Sequence, residues 1–77
     1  MRNELTHSQK EKLQSLGIPQ STIIGLLEVL PKNGLVIQYK CNMCNVGYKT
    51  DSEWIVFNCF VELIDALYYT VLWYKND

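Results

Sequence analysis

Cys41-Asn42-Met43-Cys44 is the motif in this chain whose residue types and spacing belong to metal and redox chemistry. Two thiolates at this spacing on a turn can grip one zinc ion. With Tyr39-Lys40 before them and Gly47-Tyr48 after them, they resemble half of a zinc ribbon. A closed structural site needs four ligands. Cys59 and His7 are the remaining thiol and imidazole, and no second pair stands at ligand spacing. The expectation is therefore no metal and no cofactor. Cys41 and Cys44 are the candidate ligands, and a zinc-stabilised module is an alternative reading. A reactive C-x-x-C draws thiolate stability from a helix N-terminus. This pair falls between two predicted strands and reads as ordinary thiols in a hairpin loop.

Acid–base chemistry has little to work with. His7 is the single histidine and lies in the polar opening segment MRNELTHSQKEK. Glu62 and Asp65 are three apart and neighbours on one helical face. They have no partner base or metal motif beside them and read as a solvated pair. No nucleophile elbow, phosphate loop or H-E-x-x-H is present. The chain is read as no enzyme.

Two segments could recognise a macromolecule. Leu13 to Leu30 is similar to a helix-turn-helix, with Gly17 at the turn and a second helix opening near Ser21. A recognition helix presents polar or basic side chains to DNA. Gln20, Ser21, Ile24, Gly25 and Glu28 would be exposed here, and none is basic. A DNA-binding regulator is thus the alternative, and nucleic acid is not the expected partner. The second segment is aromatic: Tyr68, Tyr69, Trp73 and Tyr74 crowd the end of the chain. Tyr69, Leu72 and Trp73 are three and four apart and form one patch, rimmed by Glu62, Asp65 and Lys75. They are the candidate interaction residues, for a protein partner or for self-association. The other reading is that neighbouring elements cover them.

The elements that must carry these residues are legible from caps and periodicity. Thr6 and Gln9 form a capping box for a helix over Ser8–Leu16, and Gly17 closes it in a left-handed conformation. Ser21 or Thr22 caps a second helix to about Leu30, with Ile23, Leu26, Leu27 and Leu30 as its apolar stripe. Pro31 ends it, and Lys32-Asn33-Gly34 is a turn. Leu35–Lys40 is a strand with Leu35, Ile37 and Tyr39 on one face. Cys41–Asn45 is a turn, and Val46–Thr50 returns as an antiparallel partner. Glu53–Phe57 is read as a third strand, in competition with a last helix that would begin at Ser52. With 53–57 as strand, Asn58 is the predicted cap of the final helix, roughly Cys59–Tyr74. Phe60, Leu63, Ile64, Leu67 and Val71 share one face of it, with Tyr69 and Trp73 projecting away.

These elements predict a single α+β domain over 1–77. It has two N-terminal helices, a small antiparallel sheet of two or three strands, and a long C-terminal helix packed on one sheet face. The expected central core is Leu35, Ile37, Tyr39, Phe60, Ile64, Leu67 and Val71. A net charge of −1, with seven basic residues spread along the chain, gives no polybasic footprint for phosphate or lipid. No run of about 18 apolar residues exists, so no transmembrane helix is expected. Three cysteines without an apolar export segment suggest reduced thiols and a cytoplasmic protein.

Leu26-Leu27-Glu28-Val29-Leu30-Pro31-Lys32, and Glu62 to Tyr68 continuing to Leu72-Trp73, carry a family resemblance. Together they look like segments of small uncharacterised proteins carried by phages and mobile elements of Bacteroides-type bacteria. The similarity covers roughly residues 22–74. It implies a non-enzymatic accessory protein in a bacterial cytoplasm and supplies no site residue. The C-x-x-C turn is not part of it.

Overall fold

A computed structural model describes residues 1–76. The elements follow the chain as α1 (His7–Ser15), α2 (Ile23–Val29), β1 (Leu35–Lys40), β2 (Met43–Lys49), β3 (Trp54–Phe60) and α3 (Leu63–Lys75). The fold is α+β, with one antiparallel sheet in the order β1-β2-β3.

Local chemistry explains the ends of α1. The Thr6 hydroxyl accepts from the Gln9 amide at 3.3 Å, and the Thr6 amide donates to the Gln9 side chain at 2.9 Å. Gly17 takes φ +81°, open to glycine without the Cβ penalty. The Ile18 and Gly17 amides then donate to Leu13 and Gln14, which is the paired arrangement that satisfies helix-end carbonyls. Leu13 and Ile18 are both buried at that turn. Thr22 caps α2 by accepting from the Gly25 amide. The N-terminal arm is pinned to the same connector, since the Leu5 amide donates to the Ser21 carbonyl at 2.9 Å.

The hairpin between β1 and β2 is tighter than the sequence reading. Its turn is only Cys41-Asn42, both with positive φ (55° and 61°), and β2 already begins at Met43. Two-residue hairpins of this handedness match the twist of the strands they join. The register therefore pairs Lys40 with Met43 and Tyr39 with Cys44.

The third strand is present and the competing helix from Ser52 is not. It runs three residues beyond Phe57, so two expectations fail: Asn58 is no helix cap, and α3 starts at Leu63 rather than Cys59. Asn58, Cys59 and Phe60 pair instead with Val46, Asn45 and Cys44. The Asn58 side chain donates to the Thr70 hydroxyl at 3.0 Å, and that hydroxyl in turn donates a hydrogen bond to the Ala66 carbonyl at 2.8 Å. A polar residue that finds partners across a sheet–helix contact has no need to cap. The residue before α3, Glu62, makes no capping bond with its side chain.

Alternation divides the sheet into two faces. Contacts identify the inner one: Tyr48 meets Trp73, Asn58 meets Thr70, and Phe60 stacks on Tyr69 with ring centroids 5.0 Å apart. α3 packs on β2 and β3 with this face, and it also packs against α2. Ile64, Leu67 and Val71 are fully buried, as the helical stripe predicts. Leu35 and Phe60 are half-buried. Ile37 and Tyr39 are not core, at 45% and 70% exposure. The reason is positional: β1 is an edge strand, and α3 covers β2 and β3 instead. The core is completed from Leu5, Leu13, Ile18, Leu26, Leu30, Val46, Tyr48 and Tyr68.

Candidate functional site

The described residues enclose no cavity, and no group of three or more His, Cys, Asp or Glu is placed to hold a metal among them. Cys41 is exposed on the hairpin turn. Cys44 is buried on the inner face, its thiol 3.7 Å from the Val61 carbonyl. Cys59 is exposed one residue from Phe60 and on the opposite face from it. The C-x-x-C pair is thus divided between turn and core by strand alternation. His7 is at the surface, 2.9 Å from Glu11 one helical turn on.

Glu62 and Asp65 do not form a free carboxylate pair. Arg2 reaches both: its amide donates to Glu62 at 2.8 Å, and its guanidinium grips the two Asp65 oxygens at 2.8 and 3.2 Å. Gln9 adds a bond to Asp65 at 3.0 Å. The Arg2 hydrogen bond, with help from Gln9 and the Arg2 charge, holds the Asp65 carboxyl below its usual range; burial opposes this without winning. A depressed carboxylate pKa stabilises the fold above the unfolded value of about 3.9, and that stabilisation is lost as pH falls through the folded value. Asp65→Asn should therefore flatten the loss of stability between about pH 4 and pH 2, while lowering stability at pH 7 by only about 0.5–1 kcal/mol for a partly exposed pair. Urea titrations across that range would check it. An unchanged acid slope would deny Asp65 the role.

The helix-turn-helix resemblance maps onto α1 and α2. On α2, Gly25 is buried, and Ile24 and Glu28 face solvent. No basic side chain lies on this short helix.

The C-terminal aromatic residues are placed differently from their helical projection. Tyr69 and Trp73 turn toward the sheet, against Phe60 and Tyr48. Leu72 and Trp73 are half-buried against the core, while Tyr69 stays 43% exposed. α3 packs against the sheet and against α2, the neighbouring elements that the second reading of this patch called for.

The surface left open is the outer face of the sheet, which the sequence reading did not single out. Trp54 and Phe57 lie edge to face there, with ring centroids 4.9 Å apart, and the Lys49 ammonium stands 5.6 Å over Trp54. Trp54 joins this face because the register slips between Tyr48 and Lys49: Tyr48 pairs with Val56, but Lys49 pairs with Trp54. Such a bulge re-aims side chains. Alternation adds Val36, Gln38 and Lys40 from β1, Asn45 and Gly47 from β2, and Cys59 from β3. Phe57 is 48% exposed, and the bulge residue Ile55 is 59% exposed. The only charged residues on the three strands are Lys40 and Lys49, each near a strand end. The signal that could have found this face is the uncharged run from Trp54 to Val61, which holds more apolar residues than one covered strand face needs.

These features define a small two-layer α+β domain, with its sheet covered on one face by helix and open, aromatic and nearly uncharged on the other. No helix among the described residues is long and apolar enough to cross a membrane. No family model, curated protein or solved structure matches the chain.

Proposed function

We propose that this chain is a small non-enzymatic interaction module, an accessory protein of the kind phages and mobile elements carry, that works through protein contacts in the cytoplasm. The observation that carries the reading is the open sheet face, where Trp54 and Phe57 are presented together instead of being covered by a helix. Contiguous apolar surface with a polar rim marks a contact site. Aromatic residues lose little conformational freedom on docking and dominate contact energetics. The Tyr69–Leu72–Trp73 patch serves the fold first, through Tyr48 and Phe60, and leaves only Tyr69 to extend a surface.

The test is affinity capture from the native host with the wild type and with the Trp54→Ser, Phe57→Ser variant. Trp54 is half-buried and Phe57 is 48% exposed, and their edge-to-face contact is lost, so the variant should melt about 5–15 °C below the wild type and remain folded at ambient temperature. The expected result is a protein captured by the wild type and lost with the variant. Equal capture by both would overturn the assignment of this face.

A further inference from the structure

α1 is held to the rest of the molecule differently from α2 and α3. α3 packs on β2, β3 and α2, whereas α1 makes no comparable contact with another element among the described residues. Its nine residues are mostly polar, and only Leu13 is buried. A helix this short does not persist in water by itself. What holds it is Leu13 together with the chain on either side, where Leu5 and Ile18 are also buried. The arm before it lies against the start of α2. The Leu5 amide donates to the Ser21 carbonyl, the Ile23 amide donates to the Asn3 carbonyl, and Glu4 bridges Thr22.

One carboxylate ties both arm and helix to α3. Asp65, in the first turn of α3, accepts from the Arg2 guanidinium at 2.8 and 3.2 Å and from the Gln9 side chain at 3.0 Å. Arg2 also donates to Gln9 at 3.2 Å and, through its amide, to Glu62 at 2.8 Å. Gln9 is in turn half of the capping box that starts α1. The remaining charged groups of the arm and helix pair among themselves: Lys10 with Glu4 at 3.4 Å, and His7 with Glu11 at the surface.

We propose that residues 1–18 form a strap that opens as one unit while α2, the sheet and α3 stay folded, and that the Arg2–Gln9–Asp65 knot sets how often it opens. A segment with few apolar anchors and a helix too short to stand alone opens at lower cost than the whole fold. Opening takes Leu5, Leu13 and Ile18 out of the core cluster they share with Leu26 of α2 and with Ile64 and Tyr68 of α3. The open form therefore presents an apolar side of α2 and α3 that the closed form hides. The Arg2 and Asp65 side chains are 40% and 22% exposed, so acid reaches the knot, and its loss changes the opening a few-fold rather than by orders of magnitude.

Native-state hydrogen exchange in low urea, read amide by amide, tests this. Residues 10–18 should share one opening constant at least about tenfold larger than that of the β2 amides, with a smaller urea dependence. Arg2→Met and Asp65→Asn should each raise that constant about two- to fivefold at pH 6. The difference between Asp65→Asn and the wild type should fade between about pH 4 and pH 2, as the wild-type carboxylate takes up its proton. Val56→Ala, which weakens β3, should speed exchange in β2 and leave residues 10–18 unchanged. Residues 10–18 exchanging with the constant and urea slope of β2 would overturn the strap. An opening insensitive to both Arg2→Met and Asp65→Asn would overturn the knot. Neither of those two residues lies on the sheet, so the outcome is independent of what the outer face binds.

Discussion

Gly47→Ala costs this fold about 3–5 kcal/mol, a large share of its total stability. A Cβ built on Gly47 would lie 2.0 Å from the Val56 carbonyl oxygen, 2.9 Å from the Val56 carbonyl carbon and 3.2 Å from the Phe57 Cα. All three atoms are backbone, so no rotamer change relieves the contact. The strands β2 and β3 would have to part where they pair through Gly47 and Phe57, next to the bulge at Tyr48 and Lys49. Glycine within a strand marks such a close backbone approach. Ordinary overpacking costs about 1–3 kcal/mol, and displacement of backbone in the central strand belongs at or above the top of that range, about 3–5 kcal/mol. A 77-residue chain has roughly 4–12 kcal/mol of total stability. Far-UV circular dichroism with a urea titration would measure the loss. A midpoint within about 1 kcal/mol of the wild type would show that the strands accommodate a methyl group and would sink the argument.

Trp73→Ala lowers stability by about 2–4 kcal/mol. The Trp73 ring lies 5.5 Å from that of Tyr48, whose hydroxyl donates to the Pro31 carbonyl at 2.6 Å. This one chain of contacts ties α3 to the loop after α2. A tyrosine phenol is a donor at neutral pH in any case, and burial pushes that of Tyr48 further up. Removing the indole opens a gap beside Tyr48 that neighbouring strands cannot close. For a domain of this size the loss corresponds to about 10–25 °C in melting temperature. Tyr69→Ala, at a half-exposed stacking position, should cost about 1 kcal/mol. Thermal melts paired with sedimentation separate the roles. A Trp73→Ala protein that melts like the wild type but loses an association would restore this residue to an interface.

The helix ends and the two-fold alternation of β1 were legible because they are local: Thr6 with Gln9, Gly17, and Thr22 act within a few residues of themselves. The end of β3 was not. Asn58 is an equally good cap or strand residue by its own chemistry, and what decided was Thr70, twelve residues on, waiting across the sheet–helix contact. The outer face was also hidden, since Trp54 belongs to it only through a register slip that periodicity cannot show.

By itself the sequence determined that this is one small α+β chain with two short capped helices, a hairpin, and a last helix carrying a buried Ile64–Leu67–Val71 stripe. Those outcomes follow from hydrophobic period and backbone preference, which neighbours along the chain express together. Only the tertiary structure decided which side of the sheet α3 covers, and therefore that Ile37 and Tyr39 are left outside while Trp73 turns inward and Tyr69 stacks on Phe60 with one side exposed. It also decided that Cys41 and Cys44 part company and that Asn45 is buried on the central strand with an unsatisfied oxygen. An apolar side chain seeks burial against whatever surface is near. Which surface is near is set by strand order and by the path of the chain between elements, and neither is written in the period of any one segment.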